Sequence, residues 1–241
     1  MLVSLIKKIF PFKFKRKIKE HLGVPSLHWS LHNLKRKNFI PQVIIDIGAY
    51  EGFWTEDVLE VFPSSKVLMV EAQNSKEPFL RKIKDKYHNT EYVISLLSSE
   101  DGAIKTFAEN ETASQIVTVT KEQPGLEYKR IRTQSLDTLL NSLHFPLPDL
   151  LKLDVQGHEL DVLKGAKNAL SHSTVCLLEI SLLNLGDNSP LLTEMVAFMD
   201  NSGFQAYDIS HFIRRPFDKA LYQVDMFFVK KNSFLVKDKI W

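Results

Sequence analysis

The stretch VIIDIGAYEGFW, from Val43 to Trp54, decides the fold of this chain. Three β-branched residues lead into Asp46, and Gly48 and Gly52 flank a short connection to an amphipathic segment. This order predicts a strand, a glycine loop and a helix. Glycine lets backbone N–H groups approach a ligand, and the positive end of the following helix points at the same place. The stretch therefore indicates a site for a nucleotide-bearing cofactor.

Tyr50 narrows the choice of cofactor. The dinucleotide fingerprint G-x-G-x-x-G requires a second glycine where Tyr50 stands, so this loop departs from the phosphate-binding loop of NAD enzymes. Asp46 is a hydrogen-bond acceptor at the end of the strand, and it suits the amino group or sulfonium of S-adenosylmethionine. Glycine loops also join strands to helices without any ligand, so a purely structural role stays open.

A second carboxylate ends the apolar strand KVLMVE, from Lys66 to Glu71. Glu71 lies 23 residues after Gly48, near the spacing of about 20 at which an acidic residue meets the ribose of an adenosine cofactor. We expect Glu71 to bind that ribose. Dinucleotide enzymes share this feature, so it supports adenosine without distinguishing the two cofactors.

The segment LLKLDVQGHELDVLKGA, from Leu150 to Ala166, repeats the same pattern. An apolar strand ends in Asp154, and a glycine turn leads into a helix that continues to Ala166. Ligands of an open parallel sheet bind outside the carboxyl ends of its strands. Asp154 and His158 should therefore point into the same crevice as Asp46.

These motifs, taken together, resemble the FkbM family of S-adenosylmethionine-dependent methyltransferases. The segments that carry the resemblance follow the family's order from about Val43 to Lys230: VIIDIGAYEGFW, MVEAQ, LLSSEDGAIKTF, RTQSLDTLL, LKLDVQGHELDVLKGA, VCLLEI and QVDMFFVKK. The family's loop usually has Asn where Tyr50 stands, and its second strand usually ends Phe-Glu-Pro where this chain has Val70, Glu71 and Ala72.

The resemblance implies a set of cofactor contacts. They are Asp46, Gly48, Ala49, Tyr50, Gly52, Glu71, Ala72, Leu96, Leu97 and Ser114. Of these, Leu96 and Leu97 are expected to contact the adenine face. The resemblance also implies a seven-stranded, mostly parallel sheet with an antiparallel edge strand.

Methyl transfer from a sulfonium is an in-line displacement, so the acceptor must be aligned and deprotonated. Asp154 and His158 are the candidate bases: histidine has the more suitable pKa, and Asp154 is better placed at the strand end. Asp154 can instead orient the methionine amino group. Glu179, at the end of the strand VCLLEI, would face the acceptor, although a structural role is equally open. No spacing of His, Cys or acidic residues indicates a metal site.

The length of 241 residues and the hydrophobic content of 44% suit one α/β domain, which we place at residues 41–241, after an arm at residues 1–40. The single Cys176 lies in an apolar run, which excludes disulfides and cysteine-type zinc clusters and favours a reducing cytoplasm.

The arm carries ten Lys and Arg residues against the single acid Glu20, whereas the rest of the chain has an excess of acids. Apolar residues and bases interleave in residues 1–20, as in segments that lie on an anionic bilayer, but no apolar run is long enough to span one. A helix packed beside its own acidic domain, and peripheral contact with the inner face of the membrane, both remain open. Nucleic acid is not expected, because the arm lacks a stacking platform.

The remaining pattern alternates strands and helices, which predicts a doubly wound α/β sheet. Helices are predicted at 75–87, after Ser135 and at 191–201. Strands are predicted at 92–96, 174–181, 204–209 and 224–230, with a β-rich stretch across 104–133 and a hairpin turn across 211–220.

The sequence thus predicts a methyltransferase that acts on oxygen of a sugar, glycan, glycolipid or secondary metabolite. Two alternatives stay open: a nicotinamide-dependent oxidoreductase, and a non-catalytic cofactor-binding protein tethered at membranes.

Overall fold

Short apolar runs build the sheets of this protein. The computed structural model describes residues 22–111, 114–117, 126–185 and 189–240. The strands are β1 (Val43–Ile47), β2 (Lys66–Glu71), β3 (Thr90–Ile94), β4 (Leu96–Leu97), β5 (Ile104–Glu109), β6 (Gln115–Val117), β7 (Glu127–Gln134), β8 (Leu150–Leu153), β9 (Val175–Ser181), β10 (Phe204–Arg214) and β11 (Leu221–Lys230). Every residue of β1 and β8 is buried, as expected for parallel strands covered on both faces.

Helices connect most of these strands. They are α1 (Leu27–Arg36), α2 (Phe53–Val61), α3 (Glu77–Lys86), α4 (Leu136–Ser142), α5 (Glu159–Lys164), α6 (Lys167–His172) and α7 (Leu192–Asn201), with 3-10 turns at Asn74–Lys76 and Phe234–Val236. Ser135 is the N-cap of α4, as predicted, and its hydroxyl accepts the Thr138 N–H at 3.2 Å.

The main sheet has seven strands in the order β10-β11-β9-β8-β1-β2-β3. The five strands from β9 to β3 are parallel, and β11 is antiparallel to both of its neighbours. The predicted doubly wound, mostly parallel sheet is confirmed. The predicted hairpin forms one edge, but its strands extend to Arg214 and restart at Leu221, so the turn is shorter than residues 211–220. Within the hairpin, β11 is the antiparallel strand and β10 is outermost.

A second sheet, in the order β4-β7-β5-β6, lies at the end of β3. The strand predicted at 92–96 is divided here: β3 ends at Ile94, and Leu96 and Leu97 pair with β7 instead. This change of sheet carries the chain away from β2 and across the carboxyl edge of the main sheet. Residues of the second sheet therefore help to form a wall of the cavity described below.

Consecutive residues of β1 face opposite layers of the molecule. Ile44 belongs to an apolar cluster with residues of α1, α2 and α3, whereas Ile45 belongs to a cluster with residues of α4 to α7. Leu31 and Leu34 of α1 are buried in the first cluster. The described part of the predicted arm thus packs on the sheet, while residues 1–20 lie outside the described residues. None of the helices that the structure describes is long and apolar enough to cross a bilayer.

The helix predicted to continue to Ala166 is interrupted at Gly165. A Cβ at Gly165 would lie 2.3 Å from the Ser98 carbonyl oxygen, so the chain needs glycine at this close approach. The chain restarts as α6, whose first N–H groups, those of Asn168 and Ala169, donate to the Asp137 carboxylate. These contacts fix the junction between α5 and α6 against Ser98, which follows β4, and against α4.

Candidate functional site

The carboxyl ends of β1, β2, β8 and β9 surround a cavity of about 450 Å³, within the usual range for small-molecule sites. It brings together all but two of the residues predicted for the site: Gly48, Ala49, Tyr50, Glu71, Ala72, Leu96, Leu97, Ser114, Asp154, His158 and Glu179. Asp46 and Gly52 lie behind its wall. Three motifs that are far apart in sequence thus meet in one place, as the strand-end rule predicts.

Gly48 is required by the approach of two strands. Its φ is 72°, and a Cβ there would lie 1.7 Å from the Asp154 carbonyl oxygen. The N–H groups of Gly48 and Ala49 both donate to the Val70 carbonyl, at 2.9 and 3.1 Å. The expectation that these N–H groups face a ligand is therefore corrected: the loop supplies shape at the cavity wall rather than these donors.

Gly52 serves the packing of α2. Its φ is 82°, and a Cβ would lie 2.7 Å from Cγ1 of Ile83 on α3. Its own N–H donates to the Ala49 carbonyl at 2.8 Å. Because Gly52 faces α3, its place in the motif is explained by helix packing and by the tight turn.

Asp46 is fully buried and holds the ends of two strands together. Its carboxylate accepts the Thr55 hydroxyl at 2.7 Å and forms an ion pair with Lys152 at 3.0 Å. Lys152 also donates to the Gly48 carbonyl at 2.9 Å. Burial opposes the charge on Lys152, but Asp46 and then Asp154 outweigh it and raise the lysine pKa. Asp46 thus supports the glycine loop from behind, in place of the expected direct contact with the cofactor.

Glu71, the last residue of β2, connects the loop after β1 to the loop after β2. One carboxylate oxygen accepts the Tyr50 N–H at 2.8 Å, and the other accepts the N–H groups of Ala72 and Gln73 at 2.9 and 2.8 Å. A carboxylate oxygen has two lone pairs, so the oxygen that Tyr50 contacts retains one acceptor position. Glu71 therefore has both a structural role and the capacity to accept a ligand hydroxyl.

Tyr50 occupies the left-handed region, with a φ of 50°, where Asn is tolerated better than Tyr. Its hydroxyl donates to Glu111 at 2.8 Å and accepts from Lys76 at 3.1 Å. The Lys76 ammonium also lies 4.2 Å from the centre of the Tyr50 ring. These contacts hold the Tyr50 side chain at the rim of the cavity and help to stabilise its unusual backbone.

Gln156 links two of the predicted catalytic residues. Its side-chain amide donates to Asp154 Oδ1 at 2.8 Å and to Glu179 Oε2 at 2.9 Å. Burial and the neighbouring Asp154 disfavour a charge on Glu179, so its pKa is raised well above the ordinary value. The result is a close pair of carboxyl groups, of which Glu179 keeps its proton at neutral pH.

His158 lines the cavity, but both of its ring nitrogens face protein atoms. Nε2 lies 3.0 Å from the Ser98 hydroxyl, and Nδ1 lies 3.6 Å from Asp161. Burial lowers the pKa of His158, so its ring is uncharged at neutral pH. These contacts orient the imidazole within the wall of the cavity.

Glu159 fixes the turn that carries these groups. The sequence pattern indicates no role for it beyond the first turn of a helix, yet it is buried, and its Oε1 accepts the N–H groups of Val155 and Gly157 at 3.0 and 3.1 Å. Burial raises the pKa of Glu159 to about 7. Glu159 therefore positions the turn without lining the cavity.

Trp54 combines a place in the cavity wall with a buried donor that has no partner among the described residues. It lines the cavity wall, and its Nε1 is buried with no hydrogen-bond partner among the residues that the structure describes. A buried indole N–H normally finds an acceptor. This donor therefore suits a carboxylate or hydroxyl oxygen of a bound ligand.

The sequence did not single out Lys152, Gln156 or Trp54 individually. Lys152 and Gln156 lie two residues before and two residues after the predicted Asp154, and Trp54 is the last residue of the first motif. Their nearness to predicted site residues is the sequence feature that could have pointed to them. Ile213 and Gln223 also line the cavity from the hairpin, and no sequence pattern points to them. Within the described ranges, no group of three or more His, Cys, Asp or Glu side chains is placed to hold a metal ion.

Comparison with known proteins gives a family match. A family model described as the methyltransferase FkbM domain matches residues 46–206. Hexuronic acid methyltransferase AglP of Haloferax volcanii is 48% identical over 50 residues, which amount to 21% of this chain and 21% of that protein. The match therefore spans about a fifth of the length of that curated relative.

Among solved structures, the precorrin-6y C5,15-methyltransferase of Geobacter metallireducens GS-15 has a TM-score of 0.49 and 16% identity, over 84% of this chain and 87% of that chain. The methyltransferase FkbM of Methylobacillus flagellatus KT has a TM-score of 0.47 and 16% identity, over 77% and 43% of the two chains.

Proposed function

The chain belongs to the FkbM methyltransferase family, and on that premise we propose that it transfers the methyl group of S-adenosylmethionine to a hydroxyl oxygen of a sugar-containing acceptor. One observation carries this proposal. The cavity has a carboxylate with spare acceptor capacity at one end, Glu71, and the Asp154–Gln156–Glu179 cluster at the other.

The residues at the first end fit the cofactor. Glu71 would accept a ribose hydroxyl, and the buried Leu96 and Leu97 would cover the adenine ring. The Nε1 donor of Trp54 would bind the methionine carboxylate. When bound, S-adenosylmethionine supplies a methyl group on a positively charged sulfur.

Asp154 acts as the general base in this proposal. Gln156 holds Asp154 through Oδ1, while Oδ2 lies 3.9 Å from the Lys152 ammonium. In this role the Asp154 carboxylate would accept the proton that the acceptor hydroxyl loses when it is methylated. Positioning of the two reactants would supply most of the rate enhancement.

The assignment of the acceptor to the sugar class rests on the partial match to a hexuronic acid methyltransferase. The polar acceptor end supports this assignment, since amide and carboxyl groups hydrogen-bond to hydroxyls.

We also propose that the protein is cytoplasmic, with its one cysteine buried and free, and that residues 1–20 contact anionic membranes. We propose no nucleic-acid partner.

The test is transfer of a labelled methyl group from S-adenosylmethionine by the full chain to a panel of hexosides, disaccharides and lipid-linked glycans. We expect S-adenosylhomocysteine to form together with an O-methyl product identified by NMR. Binding of S-adenosylmethionine without transfer to any acceptor would instead favour a non-catalytic binding protein. Label on nitrogen or carbon would contradict the assignment of the acceptor atom.

A further inference from the structure

The acceptor end of the cavity is a row of polar side chains across four neighbouring strands. Asp154 follows the last residue of β8, and Glu179 lies on the adjacent strand β9. Asp225 on β11 is the direct partner of Glu179, and His211 on β10 is the direct partner of Asp225. Residues directly opposite in neighbouring strands point to the same face of a sheet. Asp225 therefore lies on the same face of the sheet as Glu179, beyond the residues that line the cavity.

The hairpin completes this side of the cavity. Gln223 and Ile213, which are also register partners, line the cavity beside Glu179. They give the acceptor end one amide group and one apolar contact next to the carboxyl groups. Such a mixture suits a ring that carries hydroxyls and has apolar C–H faces.

Positive charge is scarce along the cavity wall. Lys152 is the one Lys or Arg that lines it among the described residues, and its ammonium is paired with the buried Asp46. Three acidic residues line the same wall: Glu71, Asp154 and Glu179. A negatively charged acceptor would therefore meet carboxyl groups, and the one Lys or Arg in the described part of the wall already has a carboxylate partner.

From this arrangement we infer that the acceptor is an uncharged, polyhydroxylated sugar and that the site selects against sugar acids. The inference rests on the proposed function and specifies its substrate class. It separates this chain from the relative whose name specifies a hexuronic acid, although the two share the matched segment. A sugar hydroxyl both donates and accepts, so it can pair with a protonated carboxyl group and with a carboxylate. A sugar carboxylate only accepts, and it is repelled by Asp154 in the cavity wall and, from farther away, by Asp225, whose carboxylate lies 3.8 Å from Nδ1 of His211.

The test uses matched pairs of acceptors that differ only at carbon 6, as in a methyl hexopyranoside and its methyl hexuronide. Binding of S-adenosylhomocysteine is measured first by calorimetry, and kcat/KM is then measured for each sugar. We expect the full-length protein to prefer the neutral member of a pair by about 10-fold or more, the scale of one repulsive contact between charges in a partly screened site. The preference of the unaltered protein does not depend on the folding of any variant.

Asp225→Asn provides a second measurement, with Asp85→Asn on the exposed side of α3 as the matched control. We expect the Asp225 variant to reduce the preference for the neutral sugar by about threefold or more, and the control to leave it unchanged. Equal use of both members of a pair, or preference for the uronide, overturns the inference. Transfer to neither member of any pair also overturns the inference on the neutral sugar. If S-adenosylhomocysteine still binds in that case, the assignment of the cofactor stands. Failure to bind S-adenosylhomocysteine would instead reject the proposed function itself.

Discussion

Asp154 and His158 both line the cavity, yet their surroundings differ. The Asp154 side chain is 39% exposed, and one of its oxygens is free of the Gln156 amide. The imidazole of His158 is held between Ser98 and Asp161. Among single residues, this contrast supports the proposal that Asp154 removes the proton while His158 is held in the wall of the cavity.

The first prediction separates these two roles. Asp154→Asn keeps the acceptor for the Gln156 amide but removes the base, so kcat should fall by about 100-fold or more. His158→Ala should lower kcat less, and mainly through a higher KM for the acceptor. Both variants should retain affinity for S-adenosylhomocysteine in a calorimetric titration. Loss of that affinity in Asp154→Asn would identify Asp154 as a ligand of the methionine portion, and full activity would direct the search for a base to Glu179.

The second prediction concerns Glu159, whose pKa is raised by burial to about 7 from an ordinary value of 4.5. A raised pKa in the folded state means that the stabilising contribution is complete below pH 4.5 and is lost as the pH rises through 7. Glu159→Gln preserves the oxygen that accepts both N–H groups and removes the titration. Relative to this variant, the unaltered protein should lose about 2–3 kcal/mol of unfolding free energy between pH 4.5 and 8. Urea denaturation at several pH values measures the difference, and parallel curves would contradict it.

The first loop shows how elements constrain each other. The turn after β1 passes so close to the end of β8 that Gly48 has no space for a side chain. Gly203, between α7 and β10, has a similar positive φ of 85°, but no atom lies within 4 Å of the position that a Cβ would occupy there. A comparison of these two glycines therefore separates the free-energy cost of a positive φ from the free-energy cost of a steric clash.

The third prediction uses this pair. Gly203→Ala should lower the unfolding free energy by about 1 kcal/mol, the cost of a left-handed backbone for alanine. Gly48→Ala should lower it by at least about 2 kcal/mol more, since the new methyl group must displace the end of β8. Thermal unfolding followed by circular dichroism compares the two variants. Equal losses would show that β1 and β8 do not approach each other as described.

The sequence alone predicted the strands and helices that short, local residue patterns encode. The motifs at Val43–Trp54 and Leu150–Ala166 predicted two strand ends and part of the cavity wall, because periodicity encodes which residues are buried. It did not reveal the pairing of Asp46 with Lys152, since strand order is set by packing between segments about a hundred residues apart. For the same reason, the sequence did not predict that β11 lies inside the edge strand β10, or that Gln223 lines the cavity.

At the scale of the whole molecule, charge is distributed unevenly. The first forty residues carry ten bases and one acid, whereas the rest of the chain has an excess of acids, and α1, within the first forty residues, packs on the sheet through Leu31 and Leu34. The basic residues at 1–20 therefore precede a helix that packs on the main sheet. Any surface that this segment binds would lie near the folded domain.

The fourth prediction tests this segment. The full chain should sediment with phosphatidylglycerol vesicles at low salt and be released as ionic strength rises, because each basic residue near the surface contributes about 1 kcal/mol. Deletion of residues 2–20 should abolish sedimentation and leave affinity for S-adenosylhomocysteine unchanged. Phosphatidylcholine vesicles serve as the uncharged control. Equal sedimentation of the full and shortened chains would favour a segment that packs on its own domain.

The central claim is that the cavity between β1, β2 and β8 binds S-adenosylmethionine. Calorimetric titration of the full chain with S-adenosylhomocysteine, and separately with NADH, tests it most directly. We predict one equivalent of S-adenosylhomocysteine bound and no heat from NADH, with affinity reduced about 10-fold or more in both Glu71→Gln and Trp54→Phe. Glu91→Gln, an exposed substitution on β3, should bind as the unaltered protein does. Binding of NADH without S-adenosylhomocysteine, or full affinity in both cavity variants, would contradict the account.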